Sequence, residues 1–298
     1  MIRAIGPYEL VRRLGRGGMA EVHLAIAHGA SGFERRFAIK RLAPELVGEP
    51  ELERALIREA KLAGTLHHRN LVSVVQLGVH DGSYYVVMEY VDGGDLARHL
   101  DGPLPEPLAL HVVHELALGL THMHDATGAT GLPLGLVHRD VGPANILVST
   151  TGNVVLGDFG IAKATALTDL TAAGARKGRY AYMAPEQLAG EPVTGAADQY
   201  GLGVTLVELA TGARPFTGET PWALRDAIRG GPQLAGLAAD LAEIAMRSLA
   251  FESRDRYASV AELGRAIASA QRRRAPAGAL DLGDWVRARI AATGTRPP

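Results

Sequence analysis

The fold is decided by the stretch His138-Arg139-Asp140-Val141-Gly142-Pro143-Ala144-Asn145, which is followed by Asp158-Phe159-Gly160 and then by Ala184-Pro185-Glu186. Two short apolar runs, at 146–148 and 154–156, lie between the first two strings, and a Thr-Gly-Asn turn separates them. This pattern predicts a hairpin. The three ordered strings are the most specific signal in the chain, and the segments upstream of them add to it.

A glycine-rich turn lies far upstream, at Leu14-Gly15-Arg16-Gly17-Gly18-Met19-Ala20. The residues after it alternate with period two, so the turn joins two strands and does not open the helix of a dinucleotide-binding fingerprint. A Walker-type loop also fails, because no Lys-Ser or Lys-Thr follows. Two interpretations stay open: a plain glycine hairpin, or a hairpin whose backbone amides approach phosphate oxygens.

Lys40 ends the apolar strand Phe37-Ala38-Ile39, and Glu59 follows in a charge-rich helical segment. A buried ammonium needs a partner, and a glutamate supplies one while leaving ammonium protons free to bind phosphate. Surface lysines are common, so the pairing of Lys40 with Glu59 indicates a function only in combination with the other strings.

In order and spacing, the lysine strand and the three downstream strings resemble the signature set of protein kinases. The strings Gly-Gly-Met-Ala-Glu-Val and Tyr-Met-Ala-Pro-Glu-Gln are similar to those of bacterial Hanks-type serine/threonine protein kinases. The resemblance covers residues 8 to about 270. It implies transfer of the γ-phosphoryl group of ATP to Ser and Thr hydroxyls of protein substrates, regulated by autophosphorylation of the activation loop.

The resemblance implies a role for each charged residue of these strings. Asp140 accepts the proton of the attacking hydroxyl, Lys40 holds the α and β phosphates, and Glu59 fixes Lys40. Asn145 and Asp158 are the implied ligands of Mg²⁺, or of Mn²⁺ in its place, because hard oxygen donors suit a hard cation.

A nucleotide pocket is implied as well, with a hinge at 89–91 whose backbone binds the purine edge. Met88 stands at the rear of this pocket as gatekeeper, and Asp95 accepts from a ribose hydroxyl, although a helix N-cap explains Asp95 nearly as well. The residues implied around ATP are Leu14, Gly15, Arg16, Gly17, Gly18, Met19, Ala20, Val22, Ala38, Lys40, Met88, Glu89, Val91, Asp95 and Leu147.

Two further matches are structural. Asp198 resembles the aspartate that braces the backbone around His138 and Arg139, and Arg256 resembles the buried partner of Glu186. The eleven histidines do not predict a metal site, because single satisfied histidines along a helix are commoner than ligands.

Three positions depart from the family pattern. Ala20 replaces the third loop glycine, Gly142 replaces the usual lysine two residues after the catalytic aspartate, and Arg179 replaces the usual threonine. Since the threonine and the lysine ordinarily contact each other, the joint change suggests compensation, with Arg179 as a catalytic cation near Asp140. The alternative is a basic docking surface formed by Arg179 with 176–177.

Two other function classes compete with an active protein kinase. A pseudokinase scaffold would bind nucleotide and dock partners without efficient phosphotransfer, but the retained charged residues favour activity. A small-molecule kinase is disfavoured by the Ala184-Pro185-Glu186 segment, which in this family holds a protein substrate.

Phosphorylation is predicted on the threonine-rich loop between Gly160 and Ala184, at Thr171 and then at Thr168. A phosphothreonine adds a charge of about −2, which can pair with Arg139 and order the loop.

The predicted fold class is α+β, with a bilobed protein-kinase-like architecture at 8–272. We expect five antiparallel strands and one helix in the small lobe (8–91) and mainly helices in the larger lobe (95–272), because the apolar period changes from two to helical near residue 96. A linker and a short tail helix are expected at 273–298, with the helix at 280–292 packing through Trp285 and Val286 either on the larger lobe or on a partner.

Composition sets the outer limits. The chain has 298 residues with 31 basic and 32 acidic side chains and no cysteine, which argues against a basic nucleic-acid-binding module and excludes cysteine frameworks. No uncharged apolar run reaches the roughly 18 residues of a membrane span. We therefore expect a cytoplasmic chain that binds protein partners and no nucleic acid. The sequence does not indicate its oligomeric state.

Overall fold

The computed structural model describes residues 4–158 and 179–293. Its N-terminal lobe is an antiparallel six-stranded sheet in the order β1-β2-β3-β4-β6-β5, with one helix against it. The elements are β1 (Ala4–Ile5), β2 (Tyr8–Arg16), β3 (Ala20–His28), β4 (Glu34–Leu42), α1 (Pro50–Ala63), β5 (Val74–His80) and β6 (Ser83–Glu89). The two-residue β1 adds a sixth strand to the five that the sequence predicts.

The sheet places the lysine strand at its centre. Lys40 in β4 is paired with Val22 of β3 and with Val86 of β6, so a neighbouring strand flanks it on each side. Helix α1 begins at Pro50, whose fixed φ suits a first helical turn. Its Leu56 and Ala60 are buried against the sheet, which orients the Glu59 face of the helix toward β4.

The second lobe is mainly helical. Its helices are α2 (Glu106–His124), α3 (Pro185–Ala189), α4 (Gly195–Thr211), α5 (Pro221–Arg229), α6 (Ala239–Ser248), α7 (Val260–Gln271) and α8 (Ala279–Thr293). A small hairpin, β7 (Ile146–Val148) and β8 (Val154–Leu156), follows the stretch 138–145, as the sequence predicts. The α+β, two-lobed class is confirmed.

The core of this lobe forms where α2, α4 and α7 meet. Leu116 and Leu120 of α2, Leu202 of α4 and Ile267 of α7 are fully buried there. Both α2 and α4 are apolar on almost every side, which is the pattern of a helix enclosed by its neighbours. No helix within the described ranges has the length and apolar composition that crossing a membrane requires.

Candidate active site

A cleft between the two lobes contains two adjoining cavities, and every residue that the sequence analysis placed around ATP lines one or both of them. The cavity nearer the hinge has about 800 Å³ of empty space and a mostly apolar wall that includes Val22, Ala38, Met88 and Leu147. The other cavity lies between the glycine-rich turn, Lys40 and α1. An apolar cavity that adjoins a charged cavity suits a nucleotide.

Lys40 joins the two lobes at the charged end of the cleft. Its Nζ donates to Glu59 Oε1 at 2.7 Å and to Asp158 Oδ1 at 2.8 Å. Burial lowers the pKa of Lys40, but the carboxylates of Asp158 and Glu59 outweigh this effect and raise the pKa above its ordinary value. The ammonium therefore stays charged in the closed cleft, and α1 holds Glu59 in place to pair with it.

Asn145 orients the carboxylate of Asp140. Its Nδ2 donates to the Asp140 backbone carbonyl at 2.6 Å and to Asp140 Oδ2 at 2.7 Å. The Asn145 carbonyl in turn accepts from the amide of Gly157 at 2.9 Å, next to Asp158. Asn145 thus connects the two parts of the site, through its side chain to Asp140 and through its backbone to the residue before Asp158.

The donor set fits a hard cation. Asn145 uses its amide nitrogen for both bonds to Asp140, which leaves an amide oxygen as a metal donor, and the Asp158 carboxylate supplies a second kind of oxygen ligand. Both residues line both cavities. Mg²⁺ bound by these two side chains would lie beside Lys40.

Left-handed backbone occurs at two non-glycine residues of the site, Arg139 (φ 68°) and Asp158 (φ 54°). Such conformations cost free energy and persist where the surroundings fix them. Asp198 supplies that constraint, because its carboxylate accepts from the amides of His138 at 2.8 Å and Arg139 at 2.7 Å. The His138 ring also bonds to the Gly157 carbonyl at 3.1 Å, next to Asp158.

Arg256 and Glu186 form a buried ion pair deep in the larger lobe. Arg256 Nη1 and Nη2 donate to the two carboxylate oxygens of Glu186 at 2.7 and 2.9 Å. Arg256 is 3% exposed, and its remaining donors reach backbone carbonyls, so the buried charge is fully hydrogen-bonded. This pair holds the start of α3 to the loop before α7.

Asp95 caps a 3₁₀ turn, Leu96–His99, and also lines the hinge-side cavity. Its carboxylate accepts from the Arg98 amide at 3.2 Å and pairs with Arg98 Nε at 2.6 Å. Burial raises the pKa of Asp95 above its ordinary value, and the Arg98 guanidinium opposes that rise. The capping role is therefore present, and it is compatible with a second role toward a ribose.

The sequence analysis missed several residues that the site uses. His124 Nε2 bonds to Asp198 Oδ2 at 2.7 Å, and Gln187 Nε2 donates to the Arg139 carbonyl at 2.9 Å. Arg98 lines the hinge-side cavity and donates to the Leu14 carbonyl at 2.6 Å. Only Arg98 carried a sequence signal, since its i,i+3 spacing from Asp95 on a turn favours an ion pair.

Gly142 lies against an aromatic ring. A Cβ atom at this position would come within 3.0 Å of Tyr182 Cγ, and the Tyr182 hydroxyl donates to Glu208. Tyr182 ends the 3₁₀ turn that begins at Arg179. The Arg179 side chain lies outside the described residues, as do Thr168 and Thr171.

Comparison with known proteins agrees with this geometry. The protein kinase domain family matches residues 8–240. Over 269 residues, or 86% of the chain, the sequence is 40% identical to the tyrosine-protein kinase MasK of Myxococcus xanthus and 37% identical to the serine/threonine-protein kinase PknB of Mycobacterium leprae. The chain covers 42% of each of these relatives, so it spans less than half of their length.

A solved structure shares the fold. The crystal structure of the Mycobacterium tuberculosis PknI kinase domain superposes with a TM-score of 0.66 at 31% identity, and the match covers 91% of this chain and 98% of that chain. The serine/threonine-protein kinase PrkC of Bacillus subtilis is 39% identical over 73% of the chain and is covered over 32% of its own length. The chain therefore belongs to the protein kinase domain family.

Proposed function

We propose that this chain transfers the γ-phosphoryl group of ATP to Ser and Thr hydroxyls of proteins. The observation that carries the proposal is the single cleft in which Lys40 bridges Glu59 and Asp158 while Asn145 orients Asp140. Pseudokinase scaffolds commonly lack one of these five side chains. Their joint geometry therefore favours phosphotransfer over nucleotide binding alone.

The cleft suits a reaction that depends on positioning and on charge. Phosphoryl transfer passes through a loose transition state with little covalent chemistry, so the protein must align the reactants and stabilise charge on the phosphoryl oxygens. Lys40 and the amides of the glycine-rich turn would bind the phosphates, and Asp140 would hold the acceptor hydroxyl and take its proton. Mg²⁺ on Asn145 and Asp158 supplies additional positive charge when bound.

The acceptor class is part of the proposal. PknB and PrkC are named serine/threonine-protein kinases, whereas MasK is named a tyrosine-protein kinase. The Gly-Gly-Met-Ala-Glu-Val string, which is typical of bacterial serine/threonine kinases, supports hydroxyl acceptors on Ser and Thr. We place this activity in the cytoplasm, where ATP is available.

Labelled ATP with Mg²⁺ tests the activity. The wild-type chain should label itself or a generic protein substrate, and Asp140→Asn, which keeps the size of the side chain, should reduce the rate at least a hundredfold. Glu191 is an exposed carboxylate just after the end of α3, so Glu191→Gln serves as the matched control and should label normally. Equal labelling, or no labelling, by wild type and Asp140→Asn would favour the scaffold.

Autophosphorylation of the activation loop is proposed at Thr171 and then at Thr168. Among the described residues, the buried Arg139 Nε has no hydrogen-bond acceptor, and a phosphate on the neighbouring loop would supply one. Mass spectrometry of wild type and Asp140→Asn expressed in parallel should find phosphate on Thr171 only in the wild type. Equal phosphate on both proteins would mean that another kinase adds it.

A further inference from the structure

Helix α8 packs onto the segment that follows the hinge, although it lies beyond the family match at 8–240. Leu282 and Val286 are 0% exposed and belong to the core of the helical lobe. The Trp285 ring meets His99 edge to face, with 6.3 Å between ring centroids. α8 is therefore a docked element of this lobe.

Polar contacts add to the apolar ones. Arg287 donates to the backbone carbonyl of Thr150, in the turn of the β7–β8 hairpin, and Arg289 pairs with Asp101. The Arg289 guanidinium also covers the Trp285 ring at 5.3 Å from its centroid. α8 thus touches both the hairpin and the segment after the hinge.

Two glycines allow the close approach. A Cβ atom at Gly152 would lie 1.7 Å from the Ala279 carbonyl oxygen, and one at Gly93 would lie 3.1 Å from Val286 Cγ1 and 2.1 Å from the Val148 carbonyl oxygen. Only a residue without a side chain fits at either position. The start of α8 therefore lies closer to the hairpin turn than a side chain at residue 152 would permit.

The surface under α8 is the back of the nucleotide cleft. We name residues 92–99 the ribose wall, because Asp95 and Arg98 within it line the hinge-side cavity. His99 Nε2, which lies under Trp285, donates to the Gly93 carbonyl at 2.7 Å. The Val148 amide donates to the Gly94 carbonyl at 2.9 Å, which ties the ribose wall to the hairpin strand that carries Leu147.

The ribose wall reaches across the cleft to the other lobe. Arg98 pairs with Asp95 and donates to the carbonyl of Leu14, which precedes the glycine-rich turn. A displacement of the backbone at Gly93 and His99 would therefore move Asp95 and loosen Arg98 from the small lobe. α8 holds that backbone from behind.

We propose that α8 braces the ribose wall, and that Trp285 and Val286 are positioning residues for nucleotide binding. This inference rests on the proposed binding of ATP and adds an element outside the family match. Because coupling between two sites is reciprocal, nucleotide binding must also stabilise the docked state of α8. The purine-binding backbone at 89–91 precedes the ribose wall, so the coupling acts on the ribose and not on the base.

Calorimetric titration with adenine, adenosine and ADP separates these parts of the pocket. In the full chain, Trp285→Ala and Val286→Ala should raise the Kd for adenosine and ADP by about fivefold or more and leave the Kd for adenine unchanged. Leu280→Ala is the matched control, since Leu280 is on the same helix but 82% exposed, and it should bind all three ligands normally. Wild-type affinity for ADP in both variants, or an equal loss for adenine, would overturn the inference.

A second measurement needs no change in α8. The chain has two tryptophans, and Trp222→Phe removes the one that is 75% exposed, which leaves Trp285 as the sole reporter. Saturating ADP should reduce quenching of Trp285 fluorescence by acrylamide. Unchanged quenching with ADP bound would contradict the coupling. Failure of the wild-type chain to bind ADP at all would instead refute the proposed function.

Discussion

At the scale of single residues, Gly142 stands where the protein-kinase pattern usually has a lysine. Its α-carbon faces the Tyr182 ring, whose hydroxyl donates to Glu208. Because a Cβ atom at position 142 would need a shift of the ring by a few tenths of an ångström, Tyr182 and Gly142 are fitted to each other. The missing positive charge must come from another residue or reduce the rate.

We propose that Arg179 supplies that charge, since it replaces the threonine that usually contacts the missing lysine. Arg179→Ala should lower kcat on the order of a hundredfold with little change in ATP affinity, because the contact acts mainly in the transition state. Steady-state kinetics with varied ATP and varied protein substrate separate these effects. A near-normal kcat would refute the proposal, and a loss confined to KM for the protein substrate would identify a docking surface with Arg176 and Lys177.

At the scale of elements, apolar periodicity located most helices and strands. The helical apolar period predicts helices at 221–229 and 198–211. The first helix and both strands of the β7–β8 hairpin have the predicted bounds, whereas α4 begins at Gly195 and not at Asp198. The reason is Thr194, whose hydroxyl accepts from the Ala196 amide and starts the helix one turn earlier. Capping geometry of this kind depends on χ1 and on the approach of the chain, which periodicity does not report.

The linker before α8 is held by an ion-pair cluster. Arg274 and Arg273 donate to the carboxylate of Asp240 in α6 at 2.7 to 2.9 Å, and these hydrogen bonds hold the pKa of Asp240 well below its ordinary value. A carboxyl whose pKa is depressed in the folded state stabilises the fold above the unfolded pKa of about 3.9, and this contribution is lost as pH falls through the lower folded value.

Arg274→Gln should therefore lower the free energy of unfolding at pH 7, by about 1 kcal/mol because the pair is partly exposed. The loss should shrink as the pH falls below about 4, where Asp240 becomes protonated in the unfolded chain. Urea unfolding at pH 7 and at about pH 2 measures both values, because most of the contribution is lost only well below the unfolded pKa, and the exposed neighbour Arg272→Gln is the control. An equal loss at both pH values would show that the charge of Asp240 plays no part.

At the scale of the whole molecule, two side chains form hydrogen bonds between the lobes. Lys40 of the small lobe bonds to Asp158 at the phosphate end of the cleft, and Arg98 of the larger lobe bonds to Leu14 at the ribose end. The cleft is thus pinned on both sides of the position proposed for the nucleotide. Release of either contact would widen one end without unfolding a lobe.

The cleft residues Asp140, Asn145 and Asp158 could be predicted from the sequence, because the ordered strings that contain them resemble the protein-kinase signature set, which implies their roles. The tail helix was predictable from the helical spacing of its apolar residues. Its seat was not, since the contacts of Val286 with Gly93 and of Ala279 with Gly152 join segments more than a hundred residues apart along the chain. The space around a glycine depends on the position of the segment packed against it, which the local sequence does not determine.

The most direct test of the proposed function is the chemical identity of the phosphorylated residue. After incubation of the wild-type chain with γ-labelled ATP, Mg²⁺ and a generic protein substrate, acid hydrolysis should release label as phosphoserine and phosphothreonine, and Asp140→Asn should release none above background. Label found as phosphotyrosine would contradict the proposed acceptor class, and label of equal amount in both proteins would contradict the role of this cleft in catalysis.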